Sequence, residues 1–250
     1  MNLERCLEVN DMENKDKKPS IRFQGFDDAW EQRKVSEVAE IVAGGTPSTG
    51  IEKYWEPKEI PWLASGEVHK KYIRFTDDMI SKEGLNNSSA KMIKENSVLI
   101  ALAGQGKTRG TVAINRIPLT TNQSIAAMTF NDDIAPEFVF CNLENRYDEI
   151  RRMSSGDGSR GGLNKQIVGD IVIPYTSKSE QEKIGAYFTS LDNLITLHHR
   201  KLIFFKKNLI NDWEQRKVSD ITTSYSGGTS QGGNAEYYNG DIPFIRAGEI

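Results

Sequence analysis

The sequence predicts an α+β protein: a strand-rich domain, then a long heptad-repeat (coiled-coil) helix, then the start of a second copy of the domain. Three observations predict it. Short apolar runs closed by turn residues recur between Ile21 and Pro174, as strands require. Ile184, Phe188, Leu191, Ile195, His198, Leu202, Phe205 and Leu209 follow one another at alternating steps of four and three, the a/d spacing that keeps an apolar stripe facing a partner helix. Lastly, Trp30-Glu31-Gln32-Arg33-Lys34-Val35-Ser36 recurs unchanged as Trp213-Glu214-Gln215-Arg216-Lys217-Val218-Ser219, an offset of 213 − 30 = 183 residues.

In chain order, residues 1–20 are polar and poor in large apolar side chains, which reads as a disordered arm; Met12 is as plausible a start as Met1. Residues 21–174 form the first domain. Gly44-Gly45-Thr46-Pro47 and Gly50 make a loop, and Ile60-Pro61-Trp62-Leu63 is a short strand. Val98-Leu99-Ile100-Ala101-Leu102 is a buried strand by its length and β-branched content. Thr111–Ile114 and Ile125–Phe130 are two more strands. Pro136 opens a helix running to about Met153, a polar glycine-rich loop covers Ser154–Gly162, and Leu163–Val168 leads into the strand Asp170–Pro174. The spacer helix occupies 175–211, with Ser177 and Glu180 spaced as a capping box. Its seam includes one polar residue, His198, which reads as a half-exposed position or one that sets register.

The repeat continues past its first block. Gly44-Gly45-Thr46 matches Gly227-Gly228-Thr229, Tyr54 matches Tyr237, and after a one-residue slip Gly66-Glu67-Val68 matches Gly248-Glu249-Ile250. Residues 212–250 are therefore expected to be the truncated start of a second domain. From Trp213 they number 250 − 213 + 1 = 38, too few for a core.

A net charge of −3 gives no global sign of nucleic-acid binding, so any basic surface must be local. Cys6 and Cys141 are isolated, which suits a reducing compartment and excludes a cysteine zinc cluster; His69, His198 and His199 make no metal set. No apolar run approaches the roughly 18 residues a membrane span needs, and the first residues lack a signal-peptide pattern. A cytoplasmic protein is expected.

Ala101-Leu102-Ala103-Gly104-Gln105-Gly106-Lys107-Thr108 fits a relaxed phosphate-binding loop. Such a loop needs a helix beginning at its Lys-Ser/Thr, whereas Gly110-Thr111-Val112-Ala113-Ile114 reads as a turn into a strand. We expect a strand–loop–strand carrying exposed Gln105, Lys107 and Arg109, side chains suited to base edges and phosphates. From Lys91 to Arg116, five basic residues (Lys91, Lys94, Lys107, Arg109, Arg116) face one acid, Glu95, a net of 5 − 1 = +4. Arg151, Arg152, Arg160 and Lys165 against Asp157 add 4 − 1 = +3. DNA contact is expected at Gln105, Lys107, Arg109, Arg160, Asn164 and Lys165, with Ser65 and Lys70 secondary. Neither a methyltransferase tetrapeptide for a flipped base nor a nuclease carboxylate cluster is present, and nothing argues for catalysis.

Taken together, Trp30–Lys34, the Gly-Gly-Thr-Pro loop, Ile60-Pro61-Trp62, Thr121-Asn122-Gln123, the Ser154–Gly162 loop with Leu163, Ile171–Pro174 and Ser179-Glu180-Gln181-Glu182-Lys183-Ile184 make the chain resemble the specificity (S) subunit of type I restriction–modification systems. The resemblance covers nearly everything from Ile21 onward. It implies a non-catalytic subunit, without cofactor, that binds double-stranded DNA and directs separate methyltransferase (M) subunits, and through them restriction (R) subunits, to a split site. In that family, two recognition domains each read half of the site, and long helices pair as an antiparallel coiled coil that fixes the spacing and docks M subunits. Partner contacts are expected at Ile184, Phe188, Leu191, Ile195, Leu202 and Phe205. The chain departs from the family pattern by ending early, so its unpaired seam is expected to dimerise with a second copy and read a palindromic split site. The alternatives are a coiled-coil remnant that binds M subunits without DNA and, less in keeping with the sequence, a P-loop NTPase.

Overall fold

Strand β6 (Val98–Ala101), buried along its whole length, lies at the middle of the domain. In this computed structural model the residues described are 19, 21–104, 107–153, 162–211, 216–223 and 227. They fall into two compact units, divided after Thr196. Side chains alternate along a strand, and here both faces are buried. Val98 and Ile100 enter one apolar cluster, and Leu99 and Ala101 enter another. That is why the run reads as continuously apolar rather than alternating.

Before β6 come β1 (Glu31–Lys34), the single helical turn α1 (Val35–Val38), β2 (Ala39–Ala43), β3 (Ile60–Leu63), β4 (Tyr72–Ile73), β5 (Asp78–Ile80) and α2 (Lys82–Asn86). After it come β7 (Val112–Asn115), β8 (Thr120–Thr121), β9 (Ile125–Phe130), α3 (Pro136–Asn145), α4 (Tyr147–Arg152), α5 (Lys165–Asp170) and β10 (Val172–Tyr175). The long helix α6 spans Lys178–Asn211, and α7 (Val218–Ile221) follows it.

Among the described residues the strands form three sheets: β2-β9-β6-β7-β4, β5-β3-β8 and β1-β10. The five-stranded sheet is antiparallel except for β4 beside β7. Helices α3, α4 and α5 cover one face through Phe138, Phe140, Leu143, Ile150 and Val168. Leu63, Val68, Ile73 and Leu119 fill the other. The α+β class and the long helix expected from sequence are both present.

Four local expectations need correction. The helix predicted from Pro136 to Met153 breaks at Arg146 (φ −101°, ψ 21°), whose guanidinium turns to the carbonyl of Val172 at 2.6 Å. Residues 165–170 are helical, and the last strand starts at Val172 rather than Asp170. The spacer helix begins at Lys178 rather than 175. Ser177 does face the amide of Glu180, at 3.4 Å, but the Glu180 carboxylate closes no capping box. It is spent on Arg22, Trp30 and Thr176.

The phosphate-loop look-alike is a β6–β7 hairpin. Gly110 donates to Ala101 at 2.9 Å, Gly104 and Gly110 take positive φ, and a strand follows where a phosphate-binding loop would need a helix.

Candidate DNA interface and helix root

The two basic concentrations seen in sequence meet in space. The amide of Leu163 donates to the carbonyl of Leu102 at 2.8 Å, which brings the segment of the second patch just before Lys165 against the end of β6. The Tyr147 hydroxyl donates to the carbonyl of Lys107 at 3.0 Å, and Arg151 donates to that hydroxyl. Lys107 and Arg152 are exposed at this junction, with Arg151 partly so. A groove of about 570 Å³ runs beside edge strand β2, with Lys91 and Lys165 on its walls and Glu40 as its acid. Clustered lysines and arginines beside loop ends are what phosphate contact needs.

The individual expectations fare unevenly. Lys107 and Lys165 are exposed. Arg109, expected to be exposed, is buried at 8 % exposure. Asn164 caps α5, its Oδ1 accepting from the Ile167 amide at 2.9 Å, as Asn does at helix starts. Lys70 is held between Glu67 and Asp77 at 2.7 Å each, and Ser65 opens the short 3₁₀ turn Ser65–Lys70 that carries it. Arg116 turns away from the basic face to Glu137 (2.8 Å) and Asn96. Gln105 and Arg160 lie outside the described residues.

A second motif cluster sits beside these loops. Thr46 donates to Gln123 Oε1 at 2.5 Å, and the Gly45 amide donates to the Thr121 carbonyl at 2.8 Å. The Gly-Gly-Thr and Thr-Asn-Gln motifs, 75 residues apart, are thus one piece of structure. The Trp62 indole donates to the Gly45 carbonyl at 3.1 Å and ties the Ile-Pro-Trp motif to the same point.

The remaining motifs gather where α6 leaves the domain. Strand β1 pairs antiparallel with β10, Glu31 opposite Tyr175. Arg33 stacks over Tyr175, its guanidinium carbon 5.3 Å from the ring, and Lys34 pairs with Asp170 at 2.8 Å. Glu180 is fully buried. Its carboxylate accepts from Arg22 (2.7 Å to each oxygen), Trp30 (3.1 Å) and Thr176 (2.5 Å). The Arg22 guanidinium holds this carboxyl below the usual glutamate range, with Thr176 and Trp30 acting in the same direction against burial. Gln181, also buried, accepts from the Ala135 amide and donates to the carbonyls of Thr176 and Asp133.

The seam divides in two. Ile184 packs against its own domain's core and, with Phe188, lines a groove of about 570 Å³ beside Trp30, Phe138 and Cys141. Ile184 is therefore an intradomain contact rather than a free partner position. Asp192 still touches the domain, accepting from the Tyr72 hydroxyl at 3.2 Å; burial pushes that phenol up to about 12. Beyond it Ile195, Leu202 and Phe205 are more than half exposed. Sequence reasoning left Arg22 and Gln181 out of the site and gave Trp30 no role there. The identity of Trp30–Ser36 with Trp213–Ser219 was the signal that this stretch has a fixed seat.

A strand-rich domain with a converged basic face, mounted on a long helix with an apolar stripe, has the build of a modular DNA-recognition protein. The family of type I restriction modification DNA specificity domains matches residues 27–203, and the chain belongs to it. It is 25 % identical to the type I restriction enzyme MjaIX specificity subunit of Methanocaldococcus jannaschii over 87 % of this chain and 57 % of that protein. It is also 25 % identical to the EcoR124I/EcoR124II specificity subunit of Escherichia coli over 66 % of this chain and 41 % of that protein. The chain thus spans about half the length of these relatives. Among solved structures it resembles the HsdS subunit from Thermoanaerobacter tengcongensis (TM-score 0.53, 16 % identity, 79 % of this chain and 45 % of that one). It also resembles the type I S subunit from M. genitalium (TM-score 0.53, 19 % identity, 73 % and 44 %). A chain from a study of type I complex assembly and conformational transition aligns with a TM-score of 0.58 at 16 % identity, over 83 % and 48 %. These likenesses establish a shared fold. Among the described residues no helix is long and apolar enough to cross a membrane.

Proposed function

We propose that this chain is a non-catalytic DNA-specificity subunit. Residues 21–174 act as a target-recognition domain that reads one half of a split site. The 175–211 segment is the spacer that docks methyltransferase subunits and, through them, restriction subunits, in the cytoplasm. Residues 212–250 begin a second recognition domain. The observation that carries this reading is the meeting of the two basic patches at one edge of a domain from a DNA-specificity family. Lys91, Lys107, Arg151, Arg152 and Lys165 then contact phosphates, and Gln105 and Arg160 are the side chains assigned to base edges.

The exposed stretch from Leu194 to Leu209 supports a helical partner. Ile195, Leu202 and Phe205 present the a/d stripe, and Phe204 adds an aromatic ring beside Phe205. A second copy of the chain fits this stripe and gives a two-fold dimer reading a palindromic split site. The helix is long enough to serve as a ruler: at about 1.5 Å per residue, its 34 residues reach beyond one turn of B-DNA.

The test is co-expression with a methyltransferase subunit of the same system, followed by light scattering and methylation mapping of the host genome. A complex with two copies of this chain and modification at a palindromic split motif is expected. A soluble complex with no methylated motif would instead favour a remnant that kept its partner surface and lost its DNA reading.

A further inference from the structure

Residues 21–26 precede the part of the chain that the family match covers, yet they hold the root of the long helix. Arg22 grips both oxygens of Glu180 and donates a third bond, of 2.6 Å, to the carbonyl of Asp28. Phe23 meets Tyr187 edge-on with ring centroids 5.9 Å apart, and the Lys183 ammonium lies 4.6 Å from the Phe26 ring centre. The strap therefore contacts three helix residues within two turns. On the adjoining side Gln181 is tied to the loop before α3 by two hydrogen bonds, from the Ala135 amide and to the Asp133 carbonyl, and to the Thr176 carbonyl by a third. Gly185 brings α6 so close that a Cβ there would lie 2.7 Å from Glu137 Cβ. Two neighbouring buried polar side chains thus fix the helix from two directions, which apolar packing alone would leave free to slide or roll.

Leverage makes this fixation consequential. The helix has 34 residues and is about 51 Å long, so a swing of about 5° at the root moves its far end by roughly 4 Å. One base-pair step is about 3.4 Å. The strap also belongs to the first copy alone. At the offset of 183 residues, positions 21–26 correspond to 204–209, which are helical.

We propose that Arg22 and Glu180 are positioning residues that set the angle of the long helix on its recognition domain, and through that angle the permitted spacing of the half-sites. The second clause rests on the split-site reading above.

The test has two arms, each on the full chain. In the first, nitroxide labels at Lys58→Cys and Asn208→Cys, in a Cys6→Ser, Cys141→Ala background diluted with unlabelled chain, report a distance distribution. The width should at least double in Arg22→Ala and in the near-isosteric Glu180→Gln, with Arg22→Lys closer to the parent. Equal widths in variants with intact near-ultraviolet circular dichroism overturn the proposal. In the second arm, methylation mapping with the co-expressed methyltransferase subunit should give one spacing for the parent. For the variants, modification at spacings one base pair longer or shorter should rise at least fivefold, with unchanged half-site sequences. A single retained spacing despite broadened distances overturns the link to spacing. A parent that modifies no split motif overturns the specificity reading instead, and the label distances still judge the clamp.

Discussion

Arg22 donates hydrogen bonds of 2.7 Å to both carboxylate oxygens of Glu180, 158 residues further along the chain. The contact joins a segment before the first strand to the first turn of the long helix. The carboxylate has no exposed surface, while the guanidinium retains a little. The ion pair is therefore shielded on its acidic side, and loss of the carboxylate leaves the Trp30 indole and the Thr176 hydroxyl without their acceptor.

The first prediction concerns acid. Because Arg22 holds the folded-state pKa of Glu180 below its ordinary value, ionised Glu180 contributes stability that is fully present above about pH 4.3. That contribution is lost as pH falls through the lower, folded value. Thermal melts of the parent between pH 7 and pH 3 should show this decline, and Glu180→Gln should flatten it. At pH 7 Glu180→Ala should cost roughly 2 kcal/mol through the stranded donors. An acid limb of the same steepness in Glu180→Gln would mean that another carboxylate governs it.

The glycine pair at 44 and 45 gives a sharper steric prediction. A Cβ on Gly44 would lie 2.1 Å from Thr121 Oγ1 and 2.3 Å from the Thr121 carbonyl oxygen, and one on Gly45 would lie 2.3 Å from Ser89 Oγ. Backbone atoms are among these neighbours, so side-chain rotation cannot relieve the clash. Gly45→Ala should lower stability by about 1–3 kcal/mol, whereas Gly66→Ala, with nothing within 4 Å, should change it little. Chemical denaturation of the two variants against the parent checks both.

These two sites show what the sequence made legible. Period and run length located β6, β9 and the long helix, because both faces of β6 are buried and α6 keeps a stripe. Tertiary partners of single polar residues were not legible. Glu180 reads as a cap by its spacing from Ser177, but the acceptor demand of Arg22 and Trp30, both distant in sequence, overrides that local use. Asn164 reads as a DNA contact by the charge around it, yet its position before Lys165 makes it an N-cap. Arg109 reads as exposed because it follows a glycine-rich loop, yet it is buried. The identical blocks Trp30–Ser36 and Trp213–Ser219 read as a repeat and did not reveal what the tryptophan touches.

Cys141 yields a chemical prediction. It lines the groove between α3 and α6, and burial pushes its thiol up to about 12, with Asp192 and Glu144 adding to the effect. Thiolate is the reactive form. In a Cys6→Ser variant at pH 8, iodoacetamide should alkylate Cys141 far more slowly in native protein than in urea. Phe188→Ala, which removes a side chain from the wall of this groove, should raise the native rate. Fast alkylation of the unaltered root would show that the groove opens readily.

The last prediction separates phosphate contacts from structural lysines. Lys91 and Lys165 stand on the walls of one groove, and Lys107 is exposed at the hairpin. Lys70 is equally basic but is engaged by two carboxylates. Each lysine that neutralises a phosphate releases counterions, and its removal should flatten the plot of log affinity against log salt by about 0.9. In the methyltransferase-bound complex, Lys91→Ala, Lys107→Ala and Lys165→Ala should each lower the slope by about that amount and weaken all sequences alike. Lys70→Ala should leave the slope unchanged while lowering stability, since Glu67 is buried and loses a partner. Fluorescence anisotropy on a duplex across a salt series reads all four. If Lys70→Ala flattens the slope and Lys165→Ala does not, the DNA lies against the 3₁₀ turn at Ser65–Lys70, and the β2 groove faces something else.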